Sequence, residues 1–144
     1  MNASNENAKP YDLEERTAVF AEQSRSFVKK LPRTIGNMED AKQFIRASGS
    51  IGANYIEAND SIGKKDFLMK VKICRREAKE SGYWLRLLDV DGKLEPERQR
   101  LAAEAAELMK IFGAIVPKMR VAMPLRYLNF LLFVSDFGIR ISDF

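Results

Sequence analysis

Residues 65–88, KDFLMKVKICRREAKESGYWLRLL, place apolar and small side chains at the spacing of one helix face. At about 100° per residue, six of them fall within about 60° of a common line along the helix. These six residues are Phe67, Val71, Cys74, Ala78, Gly82 and Leu85. The stretch therefore predicts a long amphipathic α-helix that buries one face.

Three further helical segments accompany this one. Residues 11–31 carry an apolar stripe that a proline ends, and a second helix begins at Asn37, which we expect to cap its N-terminus. The last helix begins at Glu95-Pro96, where proline suits the first turn, and ends at Pro117. Four such helices with short linkers and no strand pattern predict an all-α, antiparallel up-down-up-down four-helix bundle.

The bundle is predicted to occupy residues 11–117. Residues 1–10 are polar, and we expect them to form a disordered leader. Residues 118–144 form an apolar C-terminal tail whose order the pattern does not predict. Within the second helix, the small residues Ser48, Gly49, Ser50 and Gly52 are poor helix formers, and they predict that another helix approaches closely there.

Composition excludes several classes of site. The chain has no His, which excludes His-based catalysis and His-ligated metals, and its single Cys excludes an intrachain disulfide and a Cys-rich metal site. We therefore expect no enzyme activity, no cofactor and no metal. No apolar run approaches the about 20 residues that a membrane span requires, and the N-terminus has no signal-peptide core. We expect a cytoplasmic protein that does not contact a membrane.

Positive charge concentrates on the predicted third helix. Residues 64–79 contain seven Lys or Arg residues against two acidic ones, whereas the whole chain has a net charge of +4. Residues seven apart drift only about 20° around a helix, so they form a line along its surface. A phosphate backbone could follow this line, or the line is a solvated face that keeps the bundle soluble. The predicted nucleic-acid-binding residues are Lys65, Lys72, Arg75, Arg76, Lys79 and Arg86.

A polar ladder lies on the second helix, opposite its apolar stripe. Two acidic residues of the third helix could meet the ladder, where an Arg–carboxylate pair with Asn and Ser would satisfy buried polar atoms. The predicted structural network contains Arg46, Ser50, Asn54, Glu57, Glu77 and Glu80. The alternative is a carboxylate-rich metal or acid–base site. Di-iron bundles, however, use Glu-x-x-His motifs, and this chain has no His.

A second apolar strip runs along the third helix, beside the buried one. It contains Met69, Ile73, Trp84 and Leu87. A helix with two apolar strips is typical of contact with both its own bundle and another subunit, so these residues are the predicted oligomer interface. A wide core within one bundle explains the same pattern.

Two stretches resemble the four helix bundle protein family: residues 44–59, FIRASGSIGANYIEAN, and residues 65–88. The family includes proteins encoded in intervening sequences of bacterial large-subunit ribosomal RNA genes. It is also similar to the accessory variability determinant proteins of diversity-generating retroelements. The matching positions are Arg46, Ser50, Asn54 and Glu57 on the second helix, and Asp66-Phe67, Glu77, Glu80 and Trp84-Leu85 on the third.

The resemblance covers about residues 11–117 and implies a four-helix bundle. It implies, from the retroelement relatives, a ring-like pentamer whose basic surface binds nucleic acid and a reverse transcriptase. We therefore expect a non-enzymatic homo-oligomer, with a pentamer favoured, that binds RNA or complementary DNA. A reverse transcriptase or a ribonucleoprotein is the further candidate partner. The alternative is a protein-only structural or adaptor bundle, encoded in a ribosomal RNA intervening sequence, with no nucleic-acid role.

Overall fold

The computed structural model describes residues 12–116, which form four α-helices. These are α1 (Leu13–Val28), α2 (Ile35–Asn59), α3 (Lys64–Leu87) and α4 (Glu95–Ile115). Each helix packs against the next in chain order, most extensively α2 against α3, and α1 closes the bundle against α4. The predicted all-α four-helix bundle is confirmed. The predicted leader and the predicted tail, 118–144, lie outside the described residues.

The N-terminus of α2 differs from the sequence-based expectation. The helix begins at Ile35, two residues before Asn37, because Thr34 is the capping residue. The Thr34 hydroxyl accepts a hydrogen bond from the Asn37 backbone N–H at 3.1 Å, which satisfies one of the free donors of the first turn. Asn37 is instead buried inside the first turn, where its side chain bonds to other parts of the chain.

The core is built from the apolar faces that the sequence pattern predicts, with one correction on α1. Val19, which lies in the predicted apolar stripe, is 36% exposed, and Thr17 and Ser24 occupy core positions instead. The rings of Phe20 and Phe44 meet edge to face with centroids 6.5 Å apart, which joins α1 to α2. The largest fully buried side chains are Phe20, Phe27, Phe44, Ile51, Leu85, Leu88, Leu108 and Phe112.

Four buried hydroxyl groups lie among these apolar residues without a loss of hydrogen bonding. Each donates to a backbone carbonyl one turn earlier in its own helix, at 2.7 to 3.1 Å. The donors are Thr17, Ser24, Ser48 and Ser81. Because the hydroxyls are satisfied locally, these small side chains let neighbouring helices approach without leaving an unpaired polar atom.

The closest approach of α1 and α2 lies at Gly52, as the run of small residues predicts. A Cβ atom on Gly52 would lie 2.9 Å from the Thr17 Oγ1 and 3.4 Å from the Thr17 Cβ. Thr17 cannot turn away freely, because it is buried and its hydroxyl is bonded to the Leu13 carbonyl at 2.8 Å. Only glycine fits at this position without a shift of the Thr17 side chain or of one of the helices.

We expect Gly52→Ala to lower the free energy of unfolding by about 2 kcal/mol, because the added methyl overpacks the α1–α2 contact. Gly82→Ala is the matched control in α3. No atom lies within 4 Å of a Cβ built there, so alanine should stabilise the helix by up to about 1 kcal/mol. Urea unfolding of both variants measures the difference. Equal stabilisation by the two substitutions would contradict the close packing at Gly52.

Candidate nucleic-acid interface

All six predicted basic residues of α3 are exposed. At the C-terminal end of α3, Arg86 lines a small cavity together with Gln99 and Ala102 of α4. Near the middle, the Arg75 Nε would lie 3.4 Å from a Cβ built on Gly113, so its guanidinium extends over α4 at a residue without a side chain. The basic face therefore spans the outer surface of α3 and its border with α4.

The basic side chains of this face are not paired with carboxylates. Among residues 12–116, none of the six predicted basic residues forms an ion pair. Two of them lie near acidic groups, since Arg76 lines a polar cavity with Glu77 and Glu80 and Arg86 lines another with Glu95.

Two acidic residues of α4 are directed away from this face. Glu97 binds Lys30, with an Oε2–Nζ distance of 2.8 Å, and Glu104 binds the Arg16 guanidinium, with an Oε2–Nη2 distance of 2.8 Å. Both partners belong to the α1 side of the bundle, opposite α3.

A third acidic residue of α4, Glu95, lies at the border of the basic face. It lines the same cavity as Arg86 and pairs with Arg98 of its own helix.

The N-terminal part of the basic face surrounds a shallow cavity of about 540 Å³. Its lining combines lysine side chains with the apolar Leu68 and Met69, which is 53% exposed. Lys64, which the spacing argument leaves out of the predicted set, lies in this cavity with Lys65 and Lys72. The surplus of positive charge over residues 64–79 could have pointed to Lys64. The direction of the Lys64 side chain, however, depends on where α3 begins.

The six residues of the predicted polar network divide into three groups in the structure. The Asn54 amide donates to the Ser50 carbonyl at 2.8 Å within α2, and Glu57 forms an ion pair with Lys70. The remaining three residues, Arg46, Glu77 and Glu80, line a polar cavity of about 280 Å³ between α2 and α3, together with Gln43, Ala47 and Arg76. Arg46, Glu57 and Glu80 are exposed, so the ladder borders a surface groove.

Burial raises the pKa of the Glu77 carboxyl, and the charge of Glu80 raises it further, whereas Arg76 and Arg46 lower it. Arg46 of the α2 ladder therefore acts electrostatically on an acidic residue of α3. Over the described range, no group of three or more His, Cys, Asp or Glu side chains is placed to hold a metal ion.

The predicted interface strip has two exposed and two half-buried members. Met69 and Leu87 are 53% and 44% exposed, whereas Ile73 and Trp84 are half-buried. Trp84 packs against the core of its own bundle. Its role is therefore partly within the bundle, and the side chains that remain available to a second subunit are Met69 and Leu87.

Cys74 lies in the core, as its position on the apolar stripe predicts. Its Sγ contacts the Ile51 carbonyl at 3.4 Å, and burial raises the pKa of the thiol from 9.0 to about 12. A thiol with this pKa is almost entirely protonated near neutral pH, so it is a poor nucleophile.

None of the helices between residues 12 and 116 is both long enough and apolar enough to cross a bilayer.

Comparison with known proteins agrees with this architecture. The model of the 23S rRNA-intervening sequence protein family matches residues 11–114, which is nearly all of the bundle. The chain belongs to this family. The match begins just before α1 and ends one residue before the end of α4. A comparison with curated proteins finds no match.

A solved structure has the same arrangement of helices. It is the crystal structure of a protein with unknown function from the S23 ribosomal protein family of Bacteroides thetaiotaomicron. The two chains are 25% identical and superpose with a TM-score of 0.62, over 73% of this chain and 98% of the other. The intervening-sequence protein thus shares its bundle with this S23-family protein over almost the whole length of the latter.

Proposed function

We propose that this intervening-sequence protein is a non-enzymatic, homo-oligomeric bundle that binds RNA or complementary DNA through the basic face of α3. The observation that carries the proposal is the set of six exposed basic side chains on α3 that form no ion pair within residues 12–116. On the neighbouring helix α4, Glu97 and Glu104 pair toward the α1 side of the bundle. A cationic surface of this kind attracts phosphates through charge and recognises no particular base sequence.

The spacing of the bases suits contact with an extended phosphate backbone. Basic residues seven positions apart on α3 are separated by about 10 Å along the helix axis, at a rise of about 1.5 Å per residue. Four of them recur at this interval: Lys65, Lys72, Lys79 and Arg86. Each contact is weak by itself, and an oligomer would combine the contacts of several subunits into higher avidity. The proposed role is to hold nucleic acid beside a partner that performs chemistry, either a reverse transcriptase or a ribonucleoprotein.

A protein-only adaptor is the second candidate function. It is favoured by the exposed apolar side chains, such as Ile35 at 80% and Met38 at 49%, which lie away from the basic face. Fluorescence anisotropy with labelled mixed-sequence RNA at low salt separates the two candidates. Binding supports the nucleic-acid role, and its absence in an intact oligomer would support the adaptor. The location of the gene, inside a ribosomal RNA gene or beside a reverse transcriptase gene, would identify the partner.

We further propose a cytoplasmic location, which is supported by the single cysteine of the chain, Cys74, since a chain without disulfides suits a reducing compartment. The oligomer is proposed to form through the strip that contains Met69 and Leu87, with a pentamer favoured. Trp84 contributes mainly by supporting this strip from the core side. Trp84→Ala should therefore destabilise the bundle together with any assembly, by about 3 kcal/mol for loss of a large aromatic group.

We expect light scattering to give a mass greater than two chains of 16.4 kDa. The double substitution Met69→Ser with Leu87→Ser should reduce this mass and leave the helical circular dichroism signal unchanged, because both side chains are exposed. Ile62→Ser is the control, since Ile62 is fully exposed in the α2–α3 connection, outside the strip. A wild-type mass of one chain at micromolar concentration would contradict the oligomer.

A further inference from the structure

An exposed aromatic residue lies within the basic face. Tyr83 is 55% exposed, although tyrosines on helices usually turn toward the core. It follows Lys79 by four residues and precedes Arg86 by three. At about 100° per residue, the side chains of Lys79 and Arg86 therefore both lie within about 60° of Tyr83 around α3. Sequence reasoning missed this residue, although the same spacing places it about 140° from the buried stripe of α3, on the outer side of the helix.

The Tyr83 ring packs against the ring of Trp84. Its centroid lies 5.0 Å from that of Trp84, with an angle of 69° between the ring planes. Trp84 is itself held against the core, so it gives the Tyr83 ring a firm base. More than half of the Tyr83 surface stays open to solvent. Proteins bind single-stranded nucleic acid with a supported aromatic ring flanked by lysine or arginine side chains. The ring stacks on a nucleobase, and the cationic side chains contact phosphates.

We propose that Tyr83 stacks on an unpaired base and that single-stranded RNA or DNA is the preferred ligand of the basic face. The inference rests on the proposed nucleic-acid function and specifies its substrate class. Bases in a duplex are already stacked on one another and shielded at their faces, so a duplex gains the phosphate contacts but not the tyrosine contact. The preference for single strands should therefore depend on the ring of Tyr83, and the affinity for phosphate on the lysines.

Fluorescence anisotropy with a labelled mixed-sequence 20-nucleotide RNA, alone and annealed to its complement, tests this inference. We expect Tyr83→Ala to weaken single-strand binding by about 5- to 150-fold, the range that loss of one stacked base produces. Tyr83→Phe keeps the ring and should stay within about twofold of wild type. Duplex binding should be unchanged in both variants. Tyr83→Leu, which keeps apolar bulk without a ring, should lose single-strand binding like Tyr83→Ala.

The controls separate stacking from assembly and from charge. Ile56→Ala removes a 50% exposed apolar side chain of α2, outside both the basic face and the interface strip, and should not alter single-strand affinity. The inference is overturned if Tyr83→Ala and Tyr83→Leu bind the single strand like wild type, if they weaken duplex binding equally, or if their effect follows a loss of oligomer mass. In the first two cases the nucleic-acid function itself survives, provided that Lys72→Ala with Lys79→Ala weakens binding. If the wild-type protein binds neither the single-stranded RNA nor the duplex, the result contradicts the proposed function itself.

Discussion

Replacement of Asn37 by alanine is expected to reduce the free energy of unfolding by about 3 kcal/mol, since buried polar groups lose their partners. The Asn37 amide donates to the carbonyls of Pro32 and Asp89, at 2.9 Å each, and its side-chain oxygen accepts from the Asp89 N–H at 2.8 Å. Asn37 is only 4% exposed. One side chain thus ties the α1–α2 connection to the end of α3, and alanine supplies none of these bonds.

Urea unfolding measured by circular dichroism tests this expectation. Asn59→Ala is a matched control, because the Asn59 amide also bonds across helices, to Glu14 Oε1 at 2.6 Å, but at an exposed position. That substitution should change stability by no more than about 0.5 kcal/mol. Similar losses in both variants would show that the Asn37 bonds do not lock the two connections together.

Asn37 also shows what a local pattern can and cannot predict. An asparagine before two acidic residues has the chemistry of an N-cap, and the sequence places it within two residues of the helix start. Its actual partner, Asp89, lies 52 positions away along the chain. No spacing rule contains that contact, because it exists only after the two connections have been brought to the same end of the bundle.

The apolar faces were predictable because helix periodicity is a local property. Val71, Cys74, Ala78 and Leu85 lie in the core where the stripe of α3 places them. Thr17 and Ser24 were not predictable from hydrophobicity, since their burial depends on hydroxyl bonds to their own helix and on close packing against α2. Small polar residues at core spacing are therefore part of the pattern in a tightly packed bundle.

The basic line was predictable for the same reason as the stripes, because bases seven residues apart share one face of any helix. The position of this line relative to α4 was not predictable from the sequence. The reach of Arg75 over Gly113, and the pairing of Glu97 and Glu104 with α1, depend on how α4 packs. These contacts determine whether the charge of α3 stays available, and only the structure contains them.

The second large effect is expected for Lys72→Ala combined with Lys79→Ala. Both side chains are exposed and neither forms an ion pair among the described residues, so stability should change by less than about 0.5 kcal/mol. Nucleic-acid affinity should fall, and the slope of log K against log salt should become shallower. Two lost phosphate contacts per bound subunit reduce it by about 1.4 for a single strand and about 1.8 for a duplex.

A control with the same change in net charge is Lys29→Ala combined with Lys42→Ala. Both lysines line a cavity between α1 and α2, away from α3. This variant should keep the wild-type slope, because only long-range attraction is reduced. If both double variants lower the slope equally, the binding reflects net charge and not the face of α3.

The salt dependence of RNA binding by the wild-type protein tests the central claim most directly. Anisotropy titrations between about 50 and 200 mM salt should give a straight line in log K against log salt, with a slope near −0.7 for each phosphate contacted. If at least four Lys or Arg side chains of one subunit each contact a phosphate, the slope for a single strand is predicted to be about −2.8 or steeper. A slope near zero, or no binding at the lowest salt by an intact oligomer, would contradict the basic face of α3 as a nucleic-acid interface.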